Sequence, residues 1–177
     1  MSLFRFSRPQ PSDESTPATS SPDASHIVLR HERVDAPAAR EFLRTRAVGT
    51  LSFILRNRVM VEPVSCALDP DFDEWLYLRP LPGSVLTSEL AASRVAVSVR
   101  AEQSPTDWVM VTVYGKLYAL TTRGEDAAPK AHARAIDLLQ AGAPDLATAA
   151  SEEREEETLY RVAVETLAGR SARAEQS

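Results

Sequence analysis

Two neighbouring segments decide the fold, Arg94–Arg100 (RVAVSVR) and Trp108–Thr121 (WVMVTVYGKLYALT), and the polar stretch Ala101–Asp107 separates them. In the first segment every second residue is valine, which is the two-residue period of a β-strand. The second segment has the same alternation and is also apolar on its other face. A strand that is apolar on both faces belongs inside a structure such as a closed barrel or a sheet shared between subunits. The two segments therefore predict a hairpin at the centre of the fold.

Further strands are predicted on both sides of this hairpin. Their ranges are Gly49–Leu55, Val59–Leu68, Glu74–Arg79 and Thr158–Leu167, with His26–Arg30 as either a first strand or a lead-in. The turn at Arg56–Arg58 contains Asn57, which tolerates a positive φ. Consecutive strands mostly lack the long crossovers that parallel pairing requires. The pattern thus predicts a mainly β protein (α+β), most simply a small antiparallel Greek-key barrel with peripheral helices.

Three helical regions are predicted around the strands. Asp35 followed by Pro37 is typical of a helix start, and this helix should run to about Arg46. The other predicted helices are Ser84–Ala92, with Ser84 as its N-cap, and Ala127–Gln140, followed by a second piece from Leu146 to about Glu155.

The length of 177 residues predicts one domain with tails. Residues 1–25 are rich in Ser, Pro, Thr and Asp, so we expect a disordered N-terminal tail. The domain should span residues 26–170, with a helical insert at 127–157, and residues 171–177 should form a C-terminal tail.

Composition excludes several classes of function. A net charge of −5 without a basic run argues against nucleic-acid binding. One cysteine, Cys66, allows no intrachain disulfide. No apolar run is long enough to cross a membrane and the N-terminus lacks a secretory pattern, so we expect a cytoplasmic protein without a membrane partner. The three histidines lack metal-ligand spacing, and no Ser-His-Asp arrangement is evident. The acidic run at residues 152–157 is typical of a solvated helix face.

The order of short motifs carries a family resemblance. The motifs are Glu41-Phe42-Leu43, Gly49-Thr50-Leu51, Val61-Glu62-Pro63-Val64-Ser65, Glu74-Trp75-Leu76-Tyr77-Leu78, Gly83 before a predicted helix, Val95–Val99, Trp108-Val109 to Val113-Tyr114-Gly115, and Gly169-Arg170. In this order and spacing, over roughly Ala36 to Arg170, the chain resembles the pyridoxamine 5′-phosphate oxidase-like superfamily of FMN-binding split barrels.

This resemblance implies a split-barrel homodimer with FMN in a cleft between its subunits. It implies a flavoprotein oxidoreductase that passes electrons from a reduced nicotinamide to a small-molecule substrate. The flavin would supply the redox chemistry, so the sequence assigns no catalytic side chain. The cofactor-binding positions implied are Thr50, Leu51, Pro63, Val64, Ser65, Arg79, Ser84, Val85 and Trp108, and no metal site is implied.

One position departs from the family pattern. The usual phosphate motif is close to Gly-Arg-Lys-Leu, whereas this chain has Gly83-Ser84-Val85-Leu86 and lacks the basic pair. Ser84, the amides of a helix start and Arg79 are the remaining donors, with Arg94 and Lys116 as other cations. Two alternatives stay open: a cofactor-free split-barrel dimer with a binding or structural role, and a relative that binds a deazaflavin. Haem is less favoured, because no histidine is placed as a convincing axial ligand.

Overall fold

Seven β-strands and two α-helices form the described part of the chain. The computed structural model describes residues 27–86, 90, 93–122, 124, 127–142 and 158–176. The elements are β1 (Ile27–Val34), α1 (Ala36–Arg44), β2 (Val48–Leu55), β3 (Arg58–Leu68), β4 (Trp75–Pro80), β5 (Arg94–Ser104), β6 (Asp107–Leu120), α2 (Pro129–Gly142) and β7 (Leu159–Gln176). The predicted N-terminal tail, the helical piece after Leu146, the acidic run and most of the predicted Ser84–Ala92 helix lie outside the described residues.

The sheet closes on itself. Its order is β1-β7-β4-β3-β2-β5-β6, and an additional β7–β6 pairing joins the ends of a six-stranded ring. Every pairing is antiparallel. The predicted antiparallel split β-barrel with peripheral helices is confirmed. The predicted β5–β6 hairpin is also confirmed, although β5 continues to Ser104.

Local sequence signals account for the start of α1 and for the turn between β2 and β3. The Asp35 carboxylate caps α1 by accepting a hydrogen bond from the Ala38 amide at 2.9 Å, as an N-cap should. Between β2 and β3, Arg56 and Asn57 have φ values of 49° and 59°. Two successive positive φ values suit the right-handed twist of a tight hairpin.

The C-terminal strand is much longer than predicted. β7 was expected to end near Leu167, with a tail from residue 171, but it extends to Gln176. Its second half pairs with β1, from Gly169 opposite Val34 to Gln176 opposite Ile27. The domain therefore includes residues 171–176, and pairing with β1 supplies the hydrogen bonds that a solvated tail would take from water.

The barrel interior is filled by side chains from all six strands of the ring. Val97, Val99, Val111 and Val113 have no exposed surface, as their alternation predicted. β6 and β7 approach closely at a bulge beside Gly115. A Cβ atom there would lie 1.9 Å from the Ala163 carbonyl oxygen, so only glycine fits.

Helix α2 covers the outside of the barrel beside β4. Ala135 and Leu139 pack with Tyr77, Leu120 and Leu159 in a second apolar cluster. This is the helix predicted at Ala127–Gln140, shifted by two residues at each end. Neither described helix is long and apolar enough to span a membrane.

Candidate functional site

A row of hydroxyl groups crosses the outside of the barrel on three neighbouring strands. Thr50 of β2 pairs with Ser98 of β5, and Ser98 pairs with Thr112 of β6. The Ser98 and Thr112 hydroxyls lie 3.0 Å apart, within hydrogen-bonding distance. Pro63 of β3 lies opposite Thr50 on its other side. We call Thr50, Ser98 and Thr112 the hydroxyl row; it contains one of the predicted cofactor positions and borders a second.

Exposed apolar side chains lie on the same outer face beside this row. Ile54 is 64% exposed, and its cross-strand partner Val59 is 72% exposed. Val61 and Val48 are also exposed and share the face, because residues two apart on a strand point the same way. We call these four residues the apolar patch.

Of the other predicted residues of β2 and β3, Ser65 shares this outer face, because it lies opposite Val48, whereas Leu51 and Val64 point the other way. Leu51 and Val64 have no exposed surface and lie in the barrel core. Their side chains are therefore not available to a ligand on the outer face. Ser65 and Arg79 are cross-strand partners and are 3% and 5% exposed.

Arg79 and Ser84 lie on different sides of the sheet. Arg79 shares a face with Ser65. Ser84 hydrogen-bonds to Glu62, which is three residues from Ser65 on β3 and so points the opposite way. The two residues predicted to hold a phosphate are therefore not brought together through these contacts.

The Gly83–Leu86 loop instead holds a carboxylate of the chain itself. The Ser84 hydroxyl donates to Glu62 Oε2, and the Val85 amide donates to Glu62 Oε1 at 3.0 Å. The Leu86 amide donates to the Ser84 hydroxyl at 3.0 Å. The Tyr160 hydroxyl donates to the Leu86 carbonyl at 3.3 Å. Glu62 was quoted in the sequence only as part of a motif, and its 22-residue separation from Ser84 gave no local signal for this contact.

Trp108 lies on the outer face beside a group of arginines that sequence reasoning missed. Arg100 lies over its ring at 5.4 Å from the centroid. Arg100 and Arg170 both pair with Met110, and Arg33 pairs with Arg170. Cross-strand partners share a face, so the arginine group Arg33, Arg100 and Arg170 is gathered from three strands. Only the strand register could have revealed it, because the three residues are far apart in the sequence.

None of the predicted cofactor-binding residues lines the cavity beside Cys66. Burial raises the pKa of Cys66 to about 12, so this thiol stays protonated at neutral pH. This cavity has a volume of about 390 Å³ and lies between α1, β3 and α2. Within the described ranges, no cluster of His, Cys, Asp and Glu is suited to a metal ion.

Comparison with known proteins identifies the family. The sequence model of the pyridoxamine 5′-phosphate oxidase family matches residues 35–171, well over half of the chain. The chain therefore belongs to the pyridoxamine 5′-phosphate oxidase family. No curated protein sequence matches it.

Solved structures share the fold. An FAD-binding protein from Mesorhizobium loti has a TM-score of 0.59 and 21% identity, over 83% of this chain and 98% of the other. The FAD-binding protein from Mycobacterium smegmatis has a TM-score of 0.51 and 18% identity, over 79% and 98%. The FAD- and haem-binding protein from the same organism has a TM-score of 0.56 and 13% identity, over 80% and 73%. At these identities the likeness establishes the fold.

The Gly83–Leu86 loop does not fit a flavin phosphate in this conformation. Its two donors, the Ser84 hydroxyl and the Val85 amide, already bind the Glu62 carboxylate. A phosphate dianion placed there would meet a negative charge, where binding requires charge-assisted donors.

Proposed function

We propose that the chain is a flavin-binding oxidoreductase whose two copies form the flavin site between them. It passes electrons from a reduced nicotinamide to a small acceptor, and FMN is the flavin that the family resemblance implies. A cytoplasmic location, the homodimer and the absence of nucleic-acid or membrane partners are part of the same proposal.

The main support for this proposal is that the outer face of β2 and β3 combines hydroxyl groups with exposed apolar side chains. The hydroxyl row offers hydrogen-bonding groups for the edge of a flat heteroaromatic ring, and the apolar patch adjoins it. Ile54, Val59 and Val61 are each more than 60% exposed. Contiguous exposed apolar side chains on a small domain mark an interaction surface. A second copy that covers this patch would enclose the neighbouring row.

The arginine group supports the choice of electron donor. A nicotinamide dinucleotide carries a pyrophosphate, and planar guanidinium groups bind phosphates through paired hydrogen bonds. Arg33 and Arg170 are exposed on the face that also carries Trp108. An aromatic ring beside cations suits a ligand that has both bases and phosphates.

The experiment has two measurements on the purified protein. Sedimentation gives the mass in solution, and quenching of flavin fluorescence gives the affinities for FMN and riboflavin. We expect a dimer that binds at least riboflavin. Val61→Asp should yield a monomer with weak flavin binding, while Leu29→Asp, on β1, should remain a dimer that binds flavin. A wild-type protein that is monomeric or binds neither flavin would contradict the proposal.

A second candidate function is favoured by Glu62. Because a carboxylate occupies the donors of the Gly83–Leu86 loop, the chain also fits a dimer that has no flavin and acts by binding another molecule. Failure of the wild-type protein to bind riboflavin as well as FMN would favour this candidate.

A further inference from the structure

A line of cations runs beside the hydroxyl row on the outer face of the barrel. Arg100 lies two residues after Ser98 on β5, and residues two apart on a strand share a face and lie about 7 Å apart. Met110 of β6 pairs with Arg100 on one side and with Arg170 of β7 on the other. Arg170 in turn pairs with Arg33 of β1. The arginine group therefore adjoins the face on which the flavin is proposed to lie.

Two arginines of this group oppose each other without a counter-charge. Arg33 and Arg170 are exposed, and neither forms an ion pair within the described residues. The third, Arg100, lies 2.9 Å from the carboxylate of Glu102. Like charges directly opposite each other on neighbouring strands destabilise a sheet. An anion that bridges Arg33 and Arg170 would remove this repulsion and strengthen the attachment of β1 to β7.

The chemistry of the pair suits a diphosphate. A planar guanidinium binds a phosphate through paired hydrogen bonds. Directly opposed residues have Cβ atoms about 5 Å apart, so each of the two guanidiniums can bind one of two linked phosphates. Trp108 lies two residues from Met110 on the same face and is half-buried. An aromatic ring beside a phosphate site can stack with the base of a nucleotide.

We propose that Arg33 and Arg170 form a clamp that binds the diphosphate of a nucleotide across the junction of β1 and β7, with Arg100 and Trp108 at its border. The choice of a nucleotide rests on the proposed function, whose nicotinamide donor carries a diphosphate. The clamp extends that function, because it assigns recognition of the donor to β1 and β7. It also makes a free nucleoside diphosphate a ligand of the same site.

The test removes one guanidinium at a time. Isothermal titration calorimetry of the full chain, without added flavin, gives its affinity for ADP at one ionic strength. Arg33→Gln and Arg170→Gln should each weaken ADP binding by about ten- to hundredfold, because each removes charge-assisted hydrogen bonds to phosphate. Arg173→Gln is the matched control. It makes the same change in charge three residues along β7, on the opposite face, and should leave the affinity unchanged.

Further ligands test which chemical group is bound. Inorganic pyrophosphate should compete with ADP, whereas adenosine, which has no phosphate, should not. Competition by adenosine alone would overturn the clamp. NAD⁺ distinguishes two sources of the diphosphate. Tighter binding of NAD⁺ than of ADP indicates a dinucleotide ligand, and equal binding indicates that a nucleoside diphosphate is sufficient; both results support the clamp.

Thermal unfolding of the unliganded protein separates lost contacts from lost structure. Because Arg33 and Arg170 repel each other, Arg170→Gln should be at least as stable as the wild type while it binds ADP less tightly. Loss of ADP binding together with a lowered Tm in both clamp variants would show that the arginines support the fold, and would overturn the clamp.

The outcomes also separate the clamp from the function on which it rests. Weaker ADP binding in both clamp variants, with Arg173→Gln unaffected, supports the clamp. If Arg173→Gln weakens binding as much as Arg170→Gln does, the attraction is one of general charge and the clamp is overturned. A wild-type protein that binds riboflavin but not ADP overturns the clamp and leaves the flavin site standing, whereas one that binds ADP but neither flavin supports the clamp and contradicts the proposed function.

Discussion

Two carboxylates in and just after β3, Glu62 and Asp69, each hold a loop, and they do so with different partners. Asp69 is 1% exposed and accepts from the amides of Asp71 and Phe72 at 3.0 and 3.3 Å. It also accepts from the guanidinium of Arg134 on α2 at 3.1 Å. Glu62 has a hydroxyl and one amide as donors. The difference indicates that Asp69 is a buried structural carboxylate with its own counter-charge, whereas Glu62 is a half-buried carboxylate that is bound by neutral donors.

The largest loss of stability should come from removing the buried carboxylate of Asp69. Asp69→Ala leaves two loop amides without their acceptor in a buried setting, so we expect the free energy of unfolding to fall by about 2–3 kcal/mol. Urea denaturation measures this loss. Asp71→Ala is the matched control, because its exposed ion pair should contribute less than about 1 kcal/mol. Equal losses for the two variants would show that the burial of Asp69 and its hydrogen bonds to the loop amides add nothing to its contribution to stability.

The stability of the protein at low pH should also depend on Asp69. Burial opposes the ionisation of Asp69, but the hydrogen bonds from Arg134 and from the two amides outweigh it, and its pKa lies below the ordinary value. A lowered folded-state pKa contributes stability that is complete above the unfolded value near about 4 and is lost as the pH falls further. Asp69 should therefore add at most about 1.4 kcal/mol per pH unit to acid destabilisation in this window.

Asp69→Asn is the variant that checks this pH dependence. Its stability should be lower than that of the wild type at pH 7, and the difference should shrink below about pH 4. Denaturation curves at pH 7, 4 and 3 give the comparison. A constant difference at all three values would show that the carboxylate of Asp69 has an ordinary pKa.

Removal of the Glu62 side chain should lower the free energy of unfolding by less than removal of the Asp69 side chain. In Glu62→Ala, the Val85 amide and the Ser84 hydroxyl turn to water, because Val85 is exposed and Ser84 is half-buried. We expect the free energy of unfolding to fall by about 1 kcal/mol. Urea denaturation alongside Asp69→Ala gives the ranking, and a larger loss for Glu62→Ala would make Glu62 the structural member of the pair.

The smallest loss of stability should come from removing the Ser84 hydroxyl. Ser84→Ala removes one hydrogen bond to a carboxylate that keeps the Val85 amide, so the loss of stability should be below about 1 kcal/mol. Thermal unfolding is sensitive enough to measure it. A loss equal to that of Glu62→Ala would show that the hydroxyl accounts for the whole contact.

The fold was predictable where the sequence has a short period or a local signal. The valines of β5 and β6 alternate without interruption, Asp35 precedes Pro37, and Asn57 lies in the tight turn. By contrast, the end of β7 is typical of a polar tail, because residues 170–176 contain no apolar side chain larger than alanine. It is a strand because β1 pairs with it along its whole length.

The candidate site was predictable only in part, because it depends on contacts between distant residues. Thr50, Pro63 and Trp108 do lie on the outer face of the barrel. The assignment of adjacent residues such as Thr50 and Leu51 to one site neglected the alternation of a strand, which sends Leu51 into the core. Neither the Glu62–Ser84 contact nor the arginine group has a signal in sequence spacing, since both depend on which strands become neighbours.

Closure of the ring has a consequence for the behaviour of the chain at high concentration. Six strands use both of their edges, and among the described strands β1 alone pairs on one side only. An open edge is where foreign strands add and aggregates grow. β1 carries Arg30, Glu32 and Arg33 along this edge. Charges on both faces of β1 make the addition of a further strand unfavourable, so this outermost edge of the sheet is poorly suited to the growth of fibres.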